Sequence, residues 1–291
     1  MLLTTPLPSV EAYVDFFSKQ EMPILRRTAQ ELEYFQKEVI ETVSAREITT
    51  AVMNDPLMTI RVLMYLQQHR HKSQNHDITT LPRAIMMLGI QPFLSIFTQA
   101  PILEEQITDP QHLLGVLRII ARARRAAHFA RDWAIARHDI DVDEITVAAL
   151  LHEATEIVCW CFAPTLTQSV YAQQSANPQL RTHLLQKKVF GFTTDELQLE
   201  LARAWNMPAL LVDLLDTENL PDNPRVQTVR LASDFARHLS RRGWESPALP
   251  GDLEAIQELL HMSRDQLLHR VGVPVEYQER FLLNEPGGEI A

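Results

Sequence analysis

Apolar positions recur every three or four residues along almost the whole chain, the spacing that lines one face of a helix. Leu25, Ala29, Leu32, Phe35 and Val39 follow this period. No stretch alternates apolar and polar residues as a half-buried strand would, and no segment repeats. Polar residues at the edges of the apolar stretches supply helix starts. Ser9 can cap a helix over residues 10–20. Ser44-Ala45-Arg46-Glu47 and Thr193-Thr194-Asp195-Glu196 have the form of capping boxes. In these the hydroxyl accepts from the third backbone N–H and the Glu carboxylate reaches back. The first opens a helix to about Asn54, the second one to Trp205. Proline is tolerated at a first helical position, so Asp55-Pro56 and Asp109-Pro110 start two more, the latter running to about His138. Thr80-Leu81-Pro82 opens residues 83–88, with Gly89 as a left-handed stop. Asp143-Glu144 begins a helix that carries Ala148-Ala149-Leu150-Leu151-His152-Glu153 and ends at Pro164. Pro208 starts a short helix, and Pro224 or Arg225 starts one through Arg241 after the turn Pro221-Asp222-Asn223-Pro224. Residues 241–251, with Gly243, Pro247, Pro250 and Gly251, read as a loop. Helices over 253–261 and 263–271, the latter stopped by Gly272, and one after Pro274 complete an all-α fold, a multi-helical bundle.

Composition narrows the function classes. The chain has 291 residues, 46% hydrophobic and 22% charged, enough to bury one large core or two modest ones. Its 8 glycines suit packed helices better than a loop-rich or barrel design. A net charge of −10 opposes non-specific binding to nucleic acid or to an anionic membrane, while leaving room for a local basic patch. No run of about 18 apolar residues occurs, so no membrane span is expected, and the first residues lack the basic start of a secretory signal. The 2 cysteines, Cys159 and Cys161, point apart on a helix and are poorly placed to bridge each other. The expected compartment is a reducing cytoplasm.

An ordered set of short motifs carries a resemblance. Met22-Pro23-Ile24-Leu25 is followed by the capped helix from Ser44, then by Asn54-Asp55-Pro56-Leu57-Met58-Thr59-Ile60-Arg61-Val62-Leu63 and by Asp77-Ile78-Thr79-Thr80-Leu81-Pro82-Arg83-Ala84-Ile85-Met86-Met87-Leu88-Gly89. Ala127, Ala130, Trp133 and Ala134 then precede Leu150-Leu151-His152-Glu153, and Phe190-Gly191-Phe192 and Trp205-Asn206-Met207-Pro208 follow. Over roughly residues 15–236 the order resembles HDOD domains, the HD-related output domains of bacterial signalling proteins. The resemblance implies an HD-like bundle with an N-terminal helical subdomain and a role in signal transduction without catalysis. It also implies where a catalytic HD phosphohydrolase would hold its metal, and there this chain departs. The His-Asp position holds His152-Glu153, the upstream His falls at Arg122, and the late Asp falls at Ser233, with Asp234 next to it. The positions of further family histidines fall at Thr194 and at Glu218-Asn219.

A divalent site wants four to six ligands, and the register offers one His and at most two acids, so no metal and no cofactor is expected. Arg122, His152, Glu153, Ser233 and Asp234 are therefore read as a vestigial HD-like site, with no catalytic residues assigned. Arg122 could place a guanidinium where the metal charge would sit, paired with Glu153; the blander reading leaves it in solvent. His152-Glu153-Ala154-Thr155-Glu156 lacks the second His that a zinc-protease helix needs. The tract holding His69, His71 and His76 is irregularly spaced among cations and reads as a solvated loop. Arg118, Arg122 and Arg125 share a helical stripe that could hold a small anion, although charged stripes are usually just solvated. No aromatics interleave the stripe, which disfavours nucleic acid. The thiols sit in an apolar neighbourhood that argues for packing rather than reactivity.

The expected organisation is an N-terminal helical part over 1–107, an HD-like part over 108–236 and a C-terminal helical extension over 237–291. On this organisation no receiver, kinase or cyclase segment is expected within these residues. The expected function is a non-enzymatic regulatory module that contacts another signalling protein. Two alternatives stand beside it: a metal-dependent phosphohydrolase on nucleotides or cyclic dinucleotides, and a sensor holding a small anionic ligand.

Overall fold

The computed structural model describes residues 2–37, 43–69, 79–177 and 179–282. Among them every named element is helical, and the extended pairing is a single parallel bridge between Ile24 and Ile102. Val39, Asp77, Ile78, His71 and His76 lie outside the described residues.

The local starts form where side-chain chemistry asks for them. Ser9 accepts from the Ala12 N–H, and both halves of the two capping boxes, Ser44 with Glu47 and Thr193 with Glu196, are made. Asp55 does more than cap. One carboxylate oxygen accepts from Leu57 and Met58 at 3.0 and 3.2 Å, and the other from the Leu25 N–H at 2.8 Å. The helix Pro56–Gln68 is thereby tied at its start to the segment before Arg26–Lys37.

Two apolar cores result, and Pro56–Gln68 serves both. Met58, Val62 and Leu66 face the smaller core, with Leu32, Ile48, Ile85 and Phe93. Leu57, Ile60 and Leu63 face the larger one. Two apolar faces on one helix explain why its sequence is apolar nearly all round. The larger core is built on the long helix Pro110–Ala136, against which Val142–Leu151, Ala154–Phe162 and Pro224–Arg242 pack. The N-terminal helix Val10–Ser18 joins this larger core across the division expected at residue 107. Its Tyr13 ring meets Phe192 and Phe190 edge-on at 4.7 and 6.0 Å between centroids. The C-terminal helices Leu249–Leu260, Arg264–Arg270 and Val275–Leu282 bury Leu253, Ile256, Leu267 and Phe281 in the same core.

Several expectations are corrected. Ile90–Phe97, Leu103–Gln106, Pro164–Ala176 and Thr182–Phe190 are helices that the pattern did not give. Pro164 ends one helix and also starts the next, as proline at a first helical position can. Gly89 ends Leu81–Leu88 as expected, at a positive φ of 81° that favours glycine, but with ψ 150° it leads straight into Ile90–Phe97 and not into a loop. The loop expected over 241–251 shrinks, because Leu249–Leu260 begins inside it with Pro250 in its first turn. The helix carrying His152 is not continuous. It ends at Leu151, and Glu153, at φ −98° and ψ 10°, forms the corner before Ala154–Phe162.

Candidate functional site

Arg122 lies midway along the long helix, on the side that faces this corner, and only 6% of it is exposed. One of its terminal nitrogens, Nη2, donates both to Glu153 Oε2 and to Glu156 Oε2, the latter at 2.7 Å. Glu156 follows Glu153 by three residues, so the first turn after the corner turns both carboxylates toward one guanidinium. The Tyr171 hydroxyl, from Pro164–Ala176, donates to the other Glu156 oxygen. Arg237, from Pro224–Arg242, places Nε 3.8 Å from Glu153 Oε1 and donates through Nη2 to Asp234 at 2.7 Å.

The electrostatics follow from that arrangement. Burial alone would push the Glu153 carboxyl up, but Arg122, Arg237 and His152 outweigh it and hold it down at about 2. Glu156 goes the other way: burial, aided by the nearby Glu153 charge, leaves it above the usual carboxylate range despite Arg122. Burial opposes the charge on Arg122, yet the two carboxylates more than offset it and keep the guanidinium firmly protonated.

The other expected site residues are partly gathered here. His152 lines a cavity of about 430 Å³ with Arg122, Glu153 and Glu156, and its Nδ1 has no hydrogen-bond partner among the described residues. Asp234 reaches the site only through Arg237. Ser233 does not reach it: its buried hydroxyl donates to the Val229 carbonyl at 2.9 Å, within its own helix. Thr194 lines the cavity and exchanges hydrogen bonds with Gln186. Glu218 and Asn219 are not part of its lining, and Asn219 bonds to Asp216. Arg118 and Arg125 line a wider cleft that adjoins this cavity and shares Arg122, Tyr171 and Arg241 with it. His69 is stacked on Tyr65 at 4.0 Å. Cys159 and Cys161 are free thiols buried in the core, and burial pushes both well above the usual thiol range.

Sequence reading missed Glu156, Tyr171 and Arg237, and also Arg241, which lines the same cavity. Spacing could have flagged Glu156, three residues after Glu153 on a helix. Tyr171 and the two arginines come from other helices and carry no local signal.

A resident HD-type metal does not fit these donors. A cation at Glu153 would have to displace a buried guanidinium that is already hydrogen-bonded to both carboxylates. Among the described residues no three His, Cys, Asp or Glu side chains group as a metal set. The segment Val142–Phe162 is the one among them long and apolar enough to cross a membrane, and 89% of its most apolar window is buried inside the protein.

Comparison with known proteins gives the setting. The profile of the HDOD domain family matches residues 22–221. No curated protein matches the chain. Among solved structures, a virulence factor from Campylobacter jejuni subsp. jejuni superposes with a TM-score of 0.72 at 16% identity, covering 94% of this chain and 99% of that one. The MmoQ response regulator from Methylococcus capsulatus str. Bath superposes with a TM-score of 0.62 at 16% identity, covering 87% of this chain and 99% of that one. At such identity the likeness is one of fold.

Proposed function

Because the chain belongs to the HDOD domain family, we propose that it is a non-enzymatic signal-transduction or regulatory module that works by contact with another signalling protein in the cytoplasm. One observation carries this reading: the buried Arg122 guanidinium sits between Glu153 and Glu156, and the family resemblance implies that Arg122 and Glu153 stand at positions where a catalytic HD protein would carry metal ligands. A fixed cation then neutralises the buried carboxylates. Arg122, His152 and Glu153 form a vestigial site, with Asp234 attached through Arg237. Ser233, bonded within its own helix, has no role in it. No metal, cofactor or catalytic residue belongs to the proposal. The likeness of fold to a protein described as a response regulator supports a signalling setting.

The test is elemental analysis of tag-free protein purified without chelator, followed by hydrolysis assays on nucleotides and cyclic dinucleotides with added divalent metals. Sub-stoichiometric metal and no turnover are expected. A stoichiometric transition metal, or turnover that Glu153→Gln abolishes, would overturn the proposal in favour of a phosphohydrolase.

A further inference from the structure

Beside the buried ion pair a wider cleft of about 960 Å³ opens along the long helix. Arg118 and Arg125 line it from that helix, Arg241 and Arg242 from the last turn of Pro224–Arg242, and Gln174 and Ser246 from two further segments. No Asp or Glu contributes to the lining. This is unusual in a chain of net charge −10. Some other surface arginines find acids, as Arg131 does with Asp143, Arg203 with Glu200 and Arg270 with Asp132, while among the described residues Arg83, Arg124 and Arg181 stand singly; the cleft is distinct in gathering four such arginines. Among the described residues the four cleft arginines enter no ion pair.

Arg241 makes the imbalance specific. Neutral acceptors hold it in place, Gln174 Oε1 at 3.2 Å and Thr182 Oγ1 at 3.1 Å. Partial desolvation, and then the neighbouring Arg237 and Arg122 cations, work against its charge and outweigh the opposite pull of Glu156 and Glu153. A guanidinium anchored by neutral groups near other guanidiniums costs free energy, and a bound anion would return it. Arginine forks also match phosphate oxygens in geometry, two bonds at a time.

We propose that this cleft binds a small ligand carrying two or more phosphate charges, bridged between Arg118 and Arg125 on one wall and Arg241 and Arg242 on the other. The site does not depend on the preceding reading of Arg122, since a chain with or without catalysis could carry it. A small ligand is favoured over a nucleic acid. The cleft is concave, the protein as a whole repels polyanions, and the Tyr171 hydroxyl is already engaged with Glu156.

The full chain is titrated calorimetrically with inorganic pyrophosphate and, separately, with adenosine triphosphate, both without metal and at fixed ionic strength, with sulfate as the control anion. Saturable one-site binding is expected. Arg118→Gln with Arg125→Gln, and Arg241→Gln with Arg242→Gln, should each weaken it at least about tenfold. Arg203→Gln, on another face, should leave it unchanged. Equal affinity for both probes supports a site that reads phosphate alone, and tighter nucleotide binding supports one that also seats the organic part. All four cleft arginines are exposed, so folding should survive, and circular dichroism checks it; should one pair fail to fold, the other decides. No saturable binding of either probe, sulfate binding as tightly as pyrophosphate, or affinity untouched in a folded double variant would sink the proposal. Binding of an oligonucleotide with neither small probe bound would also sink it.

Discussion

At the scale of single residues, Arg122 holds two acids with one charge, and its removal is asymmetric in cost. Arg122→Ala leaves Glu156 buried without its cation and Glu153 with only the longer contact to Arg237, and should destabilise the protein by about 3–5 kcal/mol in urea unfolding. Glu153→Gln on top of it should cost far less than the sum of the two single losses; additive losses would mean that the groups do not interact. The pH dependence has a definite sign. Glu153 is held at about 2 against an ordinary 4.5, so its stabilisation is complete above roughly pH 4.5 and fades as pH falls toward 2. In Glu153→Gln that acid limb should flatten, which urea unfolding across about pH 2–6 would show. Glu156 is raised, so whatever stability it adds is present in acid and is lost as pH rises through its shifted value. Arg122 and Glu153 could be paired from sequence because register put them at matching positions. Arg237 could not, because its place depends on how Pro224–Arg242 packs beside the corner.

At the scale of elements, helix starts were legible wherever one side chain settles them. Ser9, Ser44, Asp55, Asp109, Thr193 and Asn223 each accept from backbone N–H groups of their own first turns. What escaped was decided by packing. Ile90–Phe97 is capped by no side chain, and Thr182–Phe190 likewise begins without one. The break at His152-Glu153 was invisible for the same reason, since no Gly or Pro marks it. One crossing is set by a missing side chain. A Cβ at Gly115 would come within 2.6 Å of the Trp160 ring, where the long helix crosses Ala154–Phe162. Alanine would gain up to about 1 kcal/mol of helix propensity there, but the collision should cost about 1–3 kcal/mol. Gly115→Ala should therefore destabilise on balance, and the added cost should shrink in a Trp160→Phe background. An alanine that stabilises the wild type would refute this account of the crossing.

At the scale of the whole molecule, two cores share a helix, and this makes a claim about cooperativity. Trp133, Trp160 and Trp205 are buried in the larger core, and Trp244 packs against it. Tryptophan fluorescence therefore reports that core, while circular dichroism reports every helix. Because Pro56–Gln68 anchors both cores, and Asp55 and the Ile24–Ile102 bridge tie their segments together, the two signals should give coincident unfolding curves. An earlier far-UV transition without a fluorescence change would show that the smaller core melts alone. The all-α architecture was legible as a whole, because helical periodicity is written in every segment. The sharing of one helix between two cores was not, because an apolar surface does not say which neighbour it faces. The tethered guanidinium of Arg122 has a last consequence. A metal ion can be chelated, exchanged or withheld by its surroundings, whereas an arginine comes with every copy of the chain, so the counter-charge that Glu153 and Glu156 share is built into the polypeptide itself.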